Sequence, residues 1–270
     1  MRKPKVCVLR SAGTNCDEET AFAFLKAGAL PELLHINRLI GHEKDLDEYQ
    51  ILALPGGFTY GDDIAAGKIF ANELRYKLID SLNRFIEARK LIIGICNGFQ
   101  ILVKSGLLPG NNGLQQEASL VINDSGKFED RWVFLKSQSH KVTKSQVECV
   151  WTKDLPEVIY LSVAHGEGKF ITKDRNVLER LRKNNQIVFQ YCNEDSESCG
   201  YPANPNGSVD SIAGICDETG RILGLMPHPE RHIMPLQHPR WMGKVAGDGL
   251  QIFRNGVEYA KRHILSKEIR

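Results

Sequence analysis

The sequence predicts an α/β fold: an open, mostly parallel sheet flanked by helices, with antiparallel strands added in the second half. Three observations carry this. The run Leu91–Ile95 (LIIGI) is apolar at every position, as in a strand buried on both faces of a parallel sheet. The first hundred residues alternate short apolar runs with helical patterns, the signature of strand–helix–strand units. From about residue 110 to 215 short β-like runs are broken by polar turns instead, which suits mixed or antiparallel pairing.

Taken in order, Lys5–Leu9 is a short β-rich run. Asp17–Ala27 (DEETAFAFLKA) reads as a helix with acids in its first turn, facing the positive end of the helix dipole. Leu33–Ile36 and Ile51–Leu54 are strand candidates. Asn72–Ala88 places Leu74, Leu78, Leu82, Phe85 and Ile86 at a helical rhythm. Leu91–Ile95 leads into a helix over Gly98–Ser105. Strands are expected at Ser119–Ile122, Trp132–Leu135, Val158–Ala164 and Ile187–Tyr191. Residues 193–208 (NEDSESCGYPANPNGS) form a loop rich in turn residues. Arg221–Met226 returns as a strand and Asp248–Arg262 as a helix. No repeat or domain-separating linker interrupts the chain, so residues 1–270 read as one domain.

The composition, 42% hydrophobic and 25% charged, is that of a globular protein. With Lys+Arg at 35 and Asp+Glu at 33 the net charge is +2, which argues against a protein that grips nucleic acid or an anionic membrane. No run approaches the roughly 18 apolar residues of a membrane helix, and the apolar stretch near the N-terminus is too short for a signal-peptide core. The seven cysteines (7, 16, 96, 149, 192, 199 and 216) form no C-x-x-C pair. A cytoplasmic protein with neither zinc ribbon nor disulfide framework is expected.

One cysteine stands apart. Gly94-Ile95-Cys96-Asn97-Gly98 follows the buried strand and opens a helix, the G-x-nucleophile-x-G elbow with Cys in the central place. The thiol then sits at the positive end of a helix, where a thiolate is favoured. A free thiol is only a few per cent ionised at neutral pH, so a nearby base matters. The strand ending at Met226 runs into Pro227-His228-Pro229-Glu230. His228 can take the thiol proton and later protonate a leaving amine. Glu230 can accept the other ring N–H and hold the tautomer. Gly56 and Gly57 follow another strand, so the Gly57 N–H with the Asn97 N–H can form an oxyanion hole. Two adjacent glycines can also flip a peptide at little steric cost, which offers a gate. No G-K-[ST] or strand-borne G-x-G-x-x-G supports nucleotide binding. Read alone, the pentapeptide also fits a buried structural thiol.

Cys96 in GICNGFQ, with His228-x-Glu230, resembles the class I (triad) glutamine amidotransferases, whose core is flavodoxin-like. Five further segments narrow the resemblance. They are Gly13-Thr14-Asn15-Cys16-Asp17, GGFTYGDDIAAGKI (56–69), His165-Gly166-Glu167-Gly168-Lys169-Phe170, ANPNGS (203–208) and MPHPER (226–231). Together they look like the glutaminase subunits of phosphoribosylformylglycinamidine synthase. The resemblance implies glutamine hydrolysis through a thioester on Cys96, in the cytoplasm. It implies ammonia delivery to a separate synthetase subunit that uses ATP and Mg²⁺, and in many organisms a small bridging subunit. It implies no cofactor or metal on this chain. It places Gln100, Ala164, Gly166 and Glu167 near the glutamine, and makes His165 a turn residue rather than a second base. No chemistry is expected of Cys16. His232, His238 and Trp241 read as a loop rather than a metal or docking site, and no motif falls in Leu107–Lys153. Open alternatives are the glutaminase of another pathway (anthranilate or GMP synthesis), a cysteine peptidase and a silent docking subunit. A peptidase of this scaffold would carry His where Phe99 stands.

Overall fold

The computed structural model describes residues 2–110, 113–138, 147–239, 241–242 and 246–266. In chain order the strands are β1 (Lys5–Arg10), β2 (Leu30–His35), β3 (Ile51–Leu54), β4 (Leu91–Ile95), β5 (Ala118–Val121), β6 (Glu129–Ser137), β7 (Val158–His165), β8 (Lys169–Thr172), β9 (Ile187–Cys192), β10 (Ile212–Cys216) and β11 (Ile222–Leu225). The α-helices are α1 (Asp17–Lys26), α2 (Ile36–Ile40), α3 (Lys68–Lys77), α4 (Ile79–Glu87), α5 (Asn97–Ser105), α6 (Arg175–Lys183) and α7 (Leu250–Tyr259).

Nine strands form one sheet in the order β2-β1-β3-β4-β11-β10-β9-β6-β7. The first five pair in parallel. The last four extend the sheet by antiparallel ladders, and β5 pairs with β8 in a separate antiparallel ribbon. The parallel part runs 2-1-3-4 and then β11, the flavodoxin-like order. Strands β3, β4 and β11 are buried along their whole length, which is why LIIGI shows no alternation: both faces are covered. In such sheets ligands bind beyond the carboxyl ends of the parallel strands. Here the loops after β1, β3, β4 and β11 all leave from that edge.

Two expectations change. The predicted helix Asn72–Ala88 is two helices, broken at Leu78, whose φ of −124° leaves the helical region. Leu74, Leu78, Leu82 and Phe85 are nevertheless all buried, so their apolar rhythm continues across the break. His232 and His238, read as loop residues, are part of a packed region. Both are buried in an aromatic cluster whose rings lie 5.1 and 4.6 Å from Trp132, and His232 Nδ1 lies 2.8 Å from the Tyr160 carbonyl oxygen. Trp241 stays half exposed. Parts of the 107–153 and 232–249 segments lie outside the described residues.

Candidate active site

Cys96 sits between β4 and α5 with φ 51° and ψ −105°, a conformation that costs energy for any residue with a side chain. The flanking glycines explain how the turn closes. A Cβ on Gly98 would run into the Leu54 carbonyl, and one on Gly94 would meet the Gly98 carbonyl and Leu102. Helix α5 therefore packs directly on β3 and β4, and the thiol is held at its N-terminus. As a thiol, Cys96 has the Ala164 carbonyl oxygen 3.7 Å away as acceptor.

His228 follows β11, beside β4. Its backbone N–H donates to the Ser162 carbonyl at 2.8 Å, which pins the loop to β7. Its ring Nδ1 lies 2.6 Å from Glu230 Oε1, and both side chains are buried. Burial disfavours the charged imidazole. The Glu230 carboxylate and a Cys96 thiolate outweigh that and hold its pKa well above the ordinary histidine value. Nδ1 is given to Glu230, Nε2 is buried and makes no hydrogen bond in the resting site, and both Cys16 and Cys96 lie close enough to the ring to raise its pKa. This is the geometry of an imidazole ready to exchange a proton with sulfur.

Gly56 touches all of this. A Cβ there would lie 2.8 Å from His228 Cε1, 3.1 Å from Cys16 Sγ and 3.4 Å from Cys96 Cβ. The next N–H, that of Gly57, thus starts from a Cα in contact with the nucleophile. The Gly56 carbonyl accepts from Asn15 N (3.4 Å) and Cys16 N (3.2 Å), and Phe58 N donates to Gly13 O at 2.9 Å. Gly57 has φ +141°, and a Cβ on it would press on Asn15 N and Gly13 O. The Gly13–Cys16 segment therefore clamps the Gly56–Gly57 turn. Flipping the Gly56–Gly57 peptide would break two hydrogen bonds, each worth about 1 kcal/mol net.

The residues expected near glutamine form a connected network. Thr59 Oγ1 donates to Asn97 Oδ1 at 2.7 Å. Asn97 Nδ2 donates to Gln100 Oε1 at 2.8 Å, and Gln100 Nε2 to the Glu167 carbonyl at 2.6 Å. Gln100 is not a surface residue; it ties α5 to the turn between β7 and β8. Lys104, buried on the same helix, sits 3.8 Å from the Glu167 carboxylate. Gly166 gives its carbonyl to Asn123 N at 3.0 Å. Ala164, Gly166, Glu167, Gln100 and Asn97 are thus brought to one side of Cys96.

His165 is buried, with Nδ1 3.2 Å from Asn123 Oδ1. Burial first, then the charge on His228, lower its pKa from 6.5 to about 3, so it is neutral at working pH and is no second base. The consequence is a stability effect with a definite sign. The unfolded chain binds this proton below about pH 6.5, whereas the folded chain refuses it until about pH 3. Stability is full above 6.5 and falls through that window by an amount of about 5 kcal/mol at most. Urea unfolding at pH 7.5 and 5 should show a smaller drop for His165→Asn than for the wild type; an equal drop would contradict the assignment.

Three further residues belong to the site and were not assigned to it from the sequence. Cys16 lies beside His228, and Arg231 Nη2 donates to its sulfur at 3.2 Å. Tyr191 is buried close enough to feel the Cys96 charge, and Asn206 Nδ2 donates to its hydroxyl at 3.2 Å. The PHPER and GTNCD segments held the signal for Arg231 and Cys16, but their proximity depends on how two loops meet. Cys16, His228 and Glu230 present ligand-type atoms all within 4.8 Å of one another. With Glu230 engaged at Nδ1, the group is arranged as an acid–base pair beside two thiols.

Comparison with known proteins agrees with this chemistry. Residues 3–260 match the CobB/CobQ-like glutamine amidotransferase domain. A phosphoribosylformylglycinamidine synthase subunit PurQ of Dehalococcoides mccartyi is 48% identical over 265 residues, covering 97% of this chain and 100% of the relative. The protein of that name in Methanococcus maripaludis is 43% identical over 273 residues, 95% and 97% of the two chains. A chain in the structure of PurLQS from Thermotoga maritima superposes with a TM-score of 0.71 at 31% identity, covering 96% of this chain and 99% of that one. With near full-length matches on both sides, the chain belongs to the CobB/CobQ-like glutamine amidotransferase family, among the glutaminase subunits of phosphoribosylformylglycinamidine synthase.

Proposed function

We propose that the chain hydrolyses glutamine to glutamate and ammonia through a γ-glutamyl thioester on Cys96. The ammonia passes to a synthetase that converts formylglycinamide ribonucleotide to formylglycinamidine ribonucleotide in purine biosynthesis. The observation that carries this is the buried His228–Glu230 pair, 2.6 Å apart, packed across Gly56 from a thiol on a strained elbow.

The steps follow from the geometry. Cys96 gives its proton to His228 Nε2, and the resulting imidazolium is stabilised by Glu230 across Nδ1. The thiolate attacks the glutamine side-chain carbonyl carbon. The oxygen that gains charge is met by the N–H groups of Gly57 and Asn97. His228 returns the proton to the departing nitrogen, and ammonia leaves. Water then attacks the thioester with His228 again as base, releasing glutamate. Gln100, Ala164, Gly166 and Glu167 lie near the bound glutamine in this reading.

The partners proposed are a synthetase subunit and a small bridging subunit; the similar Thermotoga maritima chain was solved as part of PurLQS. ATP and Mg²⁺ belong to the synthetase. All seven cysteines are unpaired, which suits the reducing cytoplasm. No helix of the described residues is long and apolar enough to cross a membrane.

A glutamine analogue carrying a diazoketone should label Cys96 and none of the other six cysteines. Cys7, Cys149 and Cys216 lie in the hydrophobic core, and burial raises the Cys16 thiol to about 11. Peptide mapping that placed the label on Cys16 or Cys199 would overturn the nucleophile assignment.

A further inference from the structure

Cys16 is a second thiol in the active site, with no task in the mechanism above. It stands at the N-cap position of α1 as Cys96 stands at that of α5, neither side chain bonding the helix N–H groups. Its sulfur and the Cys96 Cβ both border the space left by the missing side chain of Gly56, at 3.1 and 3.4 Å from where a Cβ would stand. The third wall of that space is the His228 ring. His228 Nε2 is fully buried with no hydrogen-bond partner, and the ring edge at Cε1 meets the same point as the Cys16 sulfur and Cys96 Cβ. Two thiols and a base common to both are thus packed around the Cα of Gly56.

We propose that Cys16 is the resolving thiol of Cys96, so that a peroxide converts the pair into a reversible Cys16–Cys96 disulfide. The Cys96 thiolate attacks hydrogen peroxide; an S–O bond forms, the O–O bond breaks, and hydroxide leaves to become water. Cys96 is now a sulfenic acid, oxidised by two electrons. His228 takes the proton of Cys16, and the Cys16 thiolate attacks the Cys96 sulfur. The S–S bond forms, the S–O bond breaks, and the departing hydroxide leaves as water with the proton from His228. One peroxide and two thiols give one disulfide and two waters. A nearby base is required because burial makes Cys16 a poor acid, and His228 is that base. The disulfide silences glutamine hydrolysis while shielding Cys96 from irreversible oxidation to the sulfinic acid. Cys149 and Cys216 also lie together, but both are buried in the hydrophobic core.

The inference rests on Cys96 being the reactive thiol, but its test reads covalent linkage and does not need glutaminase turnover. The full chain is treated with hydrogen peroxide, alkylated, and digested with trypsin without reductant. The expected product joins the peptides spanning residues 11–26 and 91–104. Dithiothreitol should release both peptides unmodified. In Cys16→Ser the 91–104 peptide should instead accumulate sulfinic acid. After thiol treatment that variant should keep about tenfold less of its own untreated activity than the wild type keeps of its own. Sulfinic acid on Cys96 in the wild type with no linked peptide, or linkage of Cys96 to any other cysteine, overturns the proposal. The wild-type mapping decides the matter even if Cys16→Ser fails to fold. Failure of the diazoketone labelling would instead strike at the nucleophile itself.

Discussion

Replacing Cys96 with alanine is expected to abolish glutamine-dependent synthesis by the assembled complex while leaving ammonia-dependent synthesis near the wild-type rate. Only the sulfur can form the thioester, and nothing else at that turn can take its place. Ala164 offers a backbone carbonyl, and Cys16 is held protonated by burial. Removing the nucleophile of a comparable triad costs about 10⁶ in turnover. Free ammonia bypasses the step altogether. Alanine keeps the Cβ, and the methyl group fits where the thiol now packs, so the elbow and its contacts with Leu54 and Leu102 should survive. A variant that still used glutamine within tenfold of wild type would remove Cys96 from the mechanism.

His228→Ala is expected to cost more than Glu230→Ala, in folded variants. His228 moves a proton in both halves of the reaction, whereas Glu230 orients and stabilises it. Loss of the carboxylate removes the main contribution that raises the His228 pKa, while its burial, which lowers the pKa, remains. The sign is therefore fixed: the group that titrates as His228 should move to lower pH in Glu230→Gln. Turnover should fall by about 10²–10⁴, as when the orienting acid of a Ser-His-Asp triad is neutralised. Steady-state glutamine hydrolysis across pH, run for the wild type, His228→Ala, Glu230→Ala and Glu230→Gln, gives both readouts. Equal losses, or a His228 titration that does not move, would contradict these roles.

Much of this site is legible in the sequence because its parts are local. Gly94 and Gly98 stand at fixed offsets from Cys96, and each is needed because a Cβ there would strike backbone. His228 follows the last parallel strand, so its place at the sheet edge comes from topology alone. What the sequence hides is long-range. Nothing near Cys16 says that the β1–α1 loop will fold over Gly56 and bring a second thiol to His228. Strand β10 was missed because it carries Gly214 in its interior; the small residue suits close packing against Gly224 but weakens the strand signal. Helix α6 carries only three buried residues, Val177, Leu178 and Leu181. The Asp174 side chain accepting from Val177 N at 3.0 Å is the cap that could have revealed it. The break at Leu78 has no glycine or proline to mark it, and the same apolar rhythm serves both helices.

The central claim is that nitrogen leaves glutamine at Cys96 and reaches the synthetase. It is tested most directly by giving the complex glutamine with an isotopically labelled amide nitrogen in the presence of unlabelled ammonium. The account predicts label in the amidine product, one glutamate formed for each labelled product, and loss of both in Cys96→Ala while unlabelled product persists. Labelled product from Cys96→Ala, or wild-type product carrying only the unlabelled nitrogen, would contradict it.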